Sequence, residues 1–270
     1  MKTALLESML LTQFATFVLV LARIGALVAT APIFGTKAAP MQARALLAIA
    51  MTLLVTPLYS SQAPVDVSNM LAFGKFVLGE AILGLLLGLG VTILLSGVQL
   101  TGQIVAQLGG TALAEGFDSM VEENLPVYSQ FFYFVTLAMF VLLDGHRLLI
   151  EALLDTYVWM PPGKGALGES FVTAFTMLLG QSFLLGIRAA APAMAALLLA
   201  TLVLGLIGRT LPQLNILVVG FSVNALLTAA ILVVSMGAIA WAFPQQAVNA
   251  IELLTDAVRA VAKESVVSSP

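Results

Sequence analysis

The chain contains no cysteine and a single histidine, His146. The first absence excludes disulfides, thiolate metal sites and cysteine nucleophiles. The second excludes a metal centre built from several imidazoles. Charge is equally scarce. Only 9% of the 270 residues are Asp, Glu, Lys or Arg, against about 25% in ordinary soluble domains. The net charge of -3 leaves no broad basic surface for nucleic acid. HExxH, GxSxG and phosphate-cradling Walker patterns are all missing. Neither an enzyme nor a cofactor-binding protein is expected.

What is present is apolar. Hydrophobic residues make up 60% of the sequence, and the mean hydropathy is +1.07. Each membrane crossing needs roughly 20 apolar residues for a core about 30 Å thick, and the chain has several such runs. It reads as an integral membrane protein or a subunit of a large apolar assembly. Lys2, the following apolar stretch and Ala29-Thr30-Ala31 imitate a signal peptide. Glu7 and Arg23 interrupt that imitation, so the segment is expected to be retained.

Charged and helix-breaking residues sit inside these runs. Arg23 lies in FVLVLARIGALVAT, Glu80 in FVLGEAILGLLLG, and Arg188 and Pro192 in FLLGIRAAAPAMAALLLA. A charge at a helix centre costs roughly 2.5–3.5 kcal/mol on insertion scales. A partner, a buried interface or a water-filled path must compensate.

The runs fall at Leu10–Ile33, Arg44–Tyr59, Met70–Leu108, Leu125–Leu143, Leu148–Trp159, Phe171–Ile207 and Ile216–Phe243, the last closed by Pro244. Gln245–Pro270 reads as an amphipathic tail, with Ile251, Leu254, Val258 and Val261 at helical spacing. Met70–Leu108 is long for one crossing, and its Gly84-LLL-Gly88 pattern permits close helix approach. Gln99, Gln103 and Gln107 recur every four residues on one helical face, a stripe suited to a wet channel, a polar neighbour or a solvated helix end. Tyr157 and Trp159 are read as interface anchors. Lys and Arg, including Arg44 and Arg209, are too scattered for a positive-inside orientation. Gly109–Asn124, GGTALAEGFDSMVEEN, is too polar for lipid and too apolar for an ordinary solvated loop. Its four carboxylates do not follow calcium-loop spacing.

Three segments carry a resemblance. ARIGALVATAPIFGTKAAPMQARALLAIAMTLLVTP (22–57), NLPVYSQFFYFVTLAMFVLLDGHRLLIEALLDTYVWMPPG (124–163) and GRTLPQLNILVVGFSVNALLTAAIL (208–232) resemble, in order, the FliR family of flagellar type III export-gate subunits, which has an injectisome counterpart. The resemblance implies an all-α, membrane-associated fold of long helical hairpins, with a P-like N-terminal half and a Q-like C-terminal hairpin, built into a helical multi-subunit gate. It implies P-type and Q-type partners, the B-type switch subunit, unfolded exported proteins as cargo, and a place in the bacterial inner membrane at the flagellar basal body. The corresponding division is 1–170 for the N-terminal hairpins, 171–244 for the C-terminal hairpin and 245–270 for the tail.

The family also implies a plug-like loop, by position about 109–124. Gly109, Gly110, Leu113, Gly116, Phe117 and Met120 are its candidate residues: glycine permits unusual backbone angles, and methionine adapts to changing neighbours. Arg23, Arg44, Glu80, Gln103, Gln107, Arg188 and Arg209 are the inter-subunit or buried polar candidates. The alternative is a stand-alone secondary transporter or ion channel with Arg23, Glu80 and Arg188 along its path. Broken helices occur in transporters, but the two hairpins show no clear inverted repeat.

Overall fold

The computed structural model describes residues 2–34, 40–59, 70–110, 126–164, 169–211, 213 and 216–267. Among these there are seven helices and no strand. They are α1 (Lys2–Thr30), α2 (Met41–Tyr59), α3 (Met70–Leu108), α4 (Val127–Leu142), α5 (Gly145–Trp159), α6 (Glu169–Thr210) and α7 (Ile216–Val267). The fold is all-α. Five of the helices are long and apolar enough to cross a membrane.

Long uncharged runs of Leu, Ala, Val and Ile propagate helix once it is nucleated, so the boundaries lie close to the apolar runs. α3 is one unbroken helix of 39 residues, about 58 Å at 1.5 Å per residue. The α4–α5 corner is made by Asp144, whose backbone is left-handed at φ 56°, a conformation aspartate tolerates better than most residues.

The C-terminus departs from the expected break at Pro244. α7 runs through that residue to Val267. A proline removes one backbone hydrogen bond and crowds the carbonyl four residues back. The next turns bury Ala247, Ala250, Ile251, Leu254, Val258 and Val261, and that apolar face holds the helix together beyond the proline.

The contacts form two units that interleave along the chain. The first comprises Met1–Ile93, Asp144–Leu178 and Ala247–Pro270. Here α1 packs on α2 and on the first part of α3. Glu80, Gly84, Gly88 and Thr92 follow one another at four-residue spacing, so they form one stripe on α3. A Cβ at Gly84 would collide with the Arg23 carbonyl, and one at Gly88 with the Thr30 hydroxyl. At the end of the stripe the Thr92 hydroxyl donates to the Thr30 carbonyl at 2.9 Å. A core of Leu83, Met160, Phe171, Ala174, Ala257 and Val258 closes the unit.

The second unit comprises Leu94–Leu143 and Leu179–Gln246. It repeats the close approach with different partners. Gly97 of α3 faces the Ser182 backbone of α6, Gly186 of α6 faces the Gly97 carbonyl, and the Thr101 hydroxyl donates to the Gly186 carbonyl at 3.0 Å. Gly102 lies against Ser129 of α4, whose hydroxyl donates to the Gln99 carbonyl at 3.2 Å. Val105, Ala193, Leu197 and Ile231 form the core between α3, α6 and α7.

Candidate functional site: a buried charge network

Arg23 and Glu80 meet inside the first unit. Both side chains are fully buried, and Arg23 Nε lies 2.6 Å from Glu80 Oε2. The remaining guanidinium nitrogens are also used. Nη1 donates to the Thr156 hydroxyl at 2.9 Å, and Nη2 donates to the Met160 carbonyl at 3.0 Å. The Thr156 hydroxyl passes its own hydrogen to the Leu153 carbonyl at 2.6 Å. Glu80 uses its second oxygen to accept the Gly163 backbone N–H at 2.9 Å.

The sequence builds each part of this network locally. Pro161-Pro162-Gly163 stops α5 and turns the chain, and Gly163 sits at φ 87°, where a side chain would be strained. That turn aims the Met160 carbonyl and the Gly163 N–H back toward the pair. On α5, Thr156 and Tyr157 lie beneath α1. The Arg23 guanidinium stacks over the Tyr157 ring at 4.2 Å from its centroid, a cation–π contact strengthened by loss of water. The Tyr157 hydroxyl donates to the Val20 carbonyl at 3.3 Å, and its ring packs against Tyr59 of α2 at 5.4 Å. Burial, opposed by the nearby Arg23 charge, pushes the Tyr157 phenol well above the ordinary tyrosine range, so it remains a neutral donor.

Tyr157 is thus fully buried rather than an interface anchor. Trp159 is half-buried and stacks on Arg259 at 4.3 Å. The positions of Thr156 and Tyr157 carried no motif that ties them to Arg23, more than 130 residues earlier in the chain. The only sequence signal was the cost of an unpaired charge, which required a partner without naming it.

The other candidates are dispersed. Arg44 on α2 and Gln103 on α3 are half-buried, and Gln107, Arg188 and Arg209 are exposed. Gly109 is buried, with space for a Cβ closed by the Thr228 hydroxyl at 2.7 Å. Gly110 has φ 78°, which ends α3 in a left-handed turn of the kind glycine favours. Leu113, Gly116, Phe117 and Met120 lie outside the described residues.

The chemistry available to this network is positional. The charged groups are matched to fixed partners and fully buried. Among the described residues no group of three His, Cys, Asp or Glu side chains could hold a metal. A fully satisfied buried network of this kind fixes α1, α3, α5 and the 160–164 turn in one arrangement.

Comparison with known proteins extends the reading. The family model for bacterial export proteins, family 1, matches residues 14–250. The flagellar biosynthetic protein FliR of Caulobacter vibrioides is 26% identical over 90% of this chain and 98% of its own length. FliR of Escherichia coli K12 is 32% identical over 74% of this chain and 76% of its own length. FliR of Bacillus subtilis is 27% identical over 84% and 88%, respectively. With a matching family model over most of its length and five helices able to cross a membrane, the chain belongs to the FliR family of bacterial export proteins, membrane-embedded components of flagellar biosynthesis and protein export.

Proposed function

We propose that the chain is a core subunit of the flagellar type III export gate, forming with P-type and Q-type subunits the channel through which unfolded flagellar proteins leave the cell. Its seat is the inner membrane at the basal body, with the B-type switch subunit as a further partner. Residues 1–170 act as the P-like half and 171–244 as the Q-like hairpin, with 245–270 as the tail.

One observation carries this reading beyond family membership. The exposed apolar surface of α6 is longer than a membrane is thick. Large apolar side chains stand exposed from Val172 through Met177, Phe183 and Leu199 to Leu206, about 51 Å of helix at 1.5 Å per residue. The hydrocarbon core is only about 30 Å thick. Lipid cannot cover the whole face, so neighbouring subunits must cover part of it. α2 adds Leu46, Leu53, Leu54 and Leu58, all exposed.

The transporter alternative loses its central charges. Arg23 and Glu80 neutralise each other, and both side chains are fully buried. Co-expression with P-type and Q-type subunits tests the choice. A single stoichiometric complex is expected in mild detergent. A homogeneous monomer that moves a small solute by itself would overturn the gate reading.

Two further results are expected within it. Deletion of 109–124, the plug segment that includes Gly109, Gly110, Leu113, Gly116, Phe117 and Met120, leaves the complex assembled but leaky to small dyes in vesicles. An assembled deletion complex as tight as wild type removes the plug assignment. Arg209→Ala, at the exposed end of α6, lowers complex yield more than it lowers membrane insertion, as read by co-purification against total membrane-bound chain. Unchanged complex yield removes Arg209 from the subunit contacts. Arg44, Gln103 and Gln107 are proposed for such contacts as well.

A further inference from the structure

Halfway along the α6–α7 hairpin, apolar surface gives way to a polar level. Arg188 is exposed there, and among the described residues it has no ion-pair or hydrogen-bond partner. It lines a cleft of about 660 Å³ between the two helices. Gln181 stands on the same side, and Trp241, Gln245 and Gln246 face it from α7. Trp241 is 87% exposed.

The chemistry changes on the side toward the hairpin turn. From Arg188 to Arg209 is about 31 Å of helix at 1.5 Å per residue, close to the thickness of the hydrocarbon core. Neither 189–208 of α6 nor 219–240 of α7 contains a charged residue. The large side chains exposed on this stretch include Leu198, Leu202, Leu206, Phe221, Leu226 and Val233. Its Thr228 and Ser235 side chains are buried; Thr201 and Ser222 are exposed, and the Thr201 hydroxyl donates to the Leu197 carbonyl of its own helix at 2.8 Å. An apolar band of membrane thickness, framed by an arginine at each end with an exposed tryptophan at one of them, has the pattern of a segment lying in lipid.

We infer that 189–208 and 219–240 form the lipid-embedded part of the hairpin, and that the Arg188 cleft seats the phosphate of an anionic phospholipid headgroup. A guanidinium offers paired N–H donors that match two phosphate oxygens. The Gln181 and Gln246 amides add uncharged donors for the ester and glycerol oxygens. Trp241 lies where an indole is stable, with its ring among the upper acyl chains and its N–H toward the headgroups. The same boundary explains the length of the exposed apolar face: 189–208 meets lipid, and the exposed residues before Arg188 meet other subunits. The lipid site itself needs only a membrane and stands or falls separately from the export-gate assignment.

The test uses the full chain with Trp159→Phe, which leaves Trp241 as the only tryptophan. In vesicles, phosphatidylcholine brominated near the headgroup should quench Trp241 more strongly than the same lipid brominated near the chain end. In micelles, phosphatidylglycerol should shift the Trp241 emission at lower concentration than phosphatidylcholine. Arg188→Gln should weaken the phosphatidylglycerol response about fivefold, the loss expected for one basic residue at an anionic surface. Arg188→Lys should retain most of it. Helix content by circular dichroism, unchanged in both variants, separates lost binding from lost fold. Deeper quenching near the chain end overturns the placement. Equal responses to the two headgroups, or an undiminished response in Arg188→Gln, overturn the lipid site. Competition by millimolar inorganic phosphate as effective as the lipid's reassigns the cleft to a free anion. Absence of all quenching assigns Trp241 to a protein-covered face. Each of the last two results also overturns the proposal.

Discussion

Glu80→Ala lowers the unfolding free energy by about 3–5 kcal/mol, the range for removing one member of a buried ion pair. The loss has two parts. Arg23 keeps its charge at a fully buried position without its counter-ion, and the Gly163 N–H loses its acceptor. Neither group can turn to solvent, because α1 and α3 are held together along Gly84 and Gly88. The pair itself need not be net stabilising. Desolvating both charges offsets most of their attraction, and well-packed apolar replacements are often neutral or better. The double variant Arg23→Met, Glu80→Leu is therefore expected to recover most of the stability lost by Glu80→Ala. Unfolding in mixed micelles followed by circular dichroism measures all three proteins. A Glu80→Ala loss below about 1 kcal/mol would be the value of an exposed pair, and would mean that water reaches the site. Arg147→Ala is the internal control. Its pair with Glu151 lies on the surface at 2.8 Å, where solvent screens it, and no measurable change is expected.

That contrast shows which parts of the molecule the sequence made legible. Local patterns were readable because their physics is local. Uninterrupted apolar runs became helices, Pro161-Pro162-Gly163 became a turn, and the Gly84–Gly88 spacing marked a close helix approach. The charges were readable as a requirement: Arg23 and Glu80 could not remain alone in apolar runs. Their mutual pairing was not readable, because 57 positions separate them and nothing in periodicity fixes which helices meet. Tyr157 illustrates the same gap. Beside Trp159 at a helix end it has the composition of an interface anchor, yet the tertiary position of α1 places it beneath Arg23. Pro244 shows the reverse failure. A rule correct for an isolated helix gave a break where burial of the following apolar face sustains the helix. Among the charges, Arg188 kept the open character seen in the sequence, because its surroundings on α6 and α7 supply glutamines and a tryptophan but no carboxylate.

Gly84→Ala should be the most damaging single-methyl change in the first unit. The added Cβ falls on the Arg23 carbonyl oxygen, with the Arg23 Cα at 3.1 Å. No rotamer relieves it, because a Cβ has a fixed direction from its backbone. The obstacle is backbone, so α1 must move as a body. Overpacking typically costs 1–3 kcal/mol and sometimes more, and a loss of about 3 kcal/mol is expected here because the displacement also reaches the charge pair. Glu80 precedes Gly84 by one turn on the same face of α3, and the Arg23 that contacts Gly84 through its backbone holds Glu80 through its guanidinium. Moving α1 away from Gly84 therefore lengthens the Arg23–Glu80 contact. Two consequences distinguish this from a general sensitivity of α3. Gly74 lies on the same helix with nothing within 4 Å of its would-be Cβ, so Gly74→Ala should stabilise by up to about 1 kcal/mol through helix propensity alone. In a cycle with Glu80→Ala, the Gly84→Ala penalty should be smaller than in the wild-type background, since the two changes damage one shared contact and are not additive. Equal effects of Gly74→Ala and Gly84→Ala, or full additivity in the cycle, would show that the α1–α3 approach does not set the geometry of the buried pair. The expected outcome ties the two features together: the glycines let α1 come close enough for a fully desolvated arginine to find its carboxylate, and the arginine in turn selects the one register in which those glycines fit.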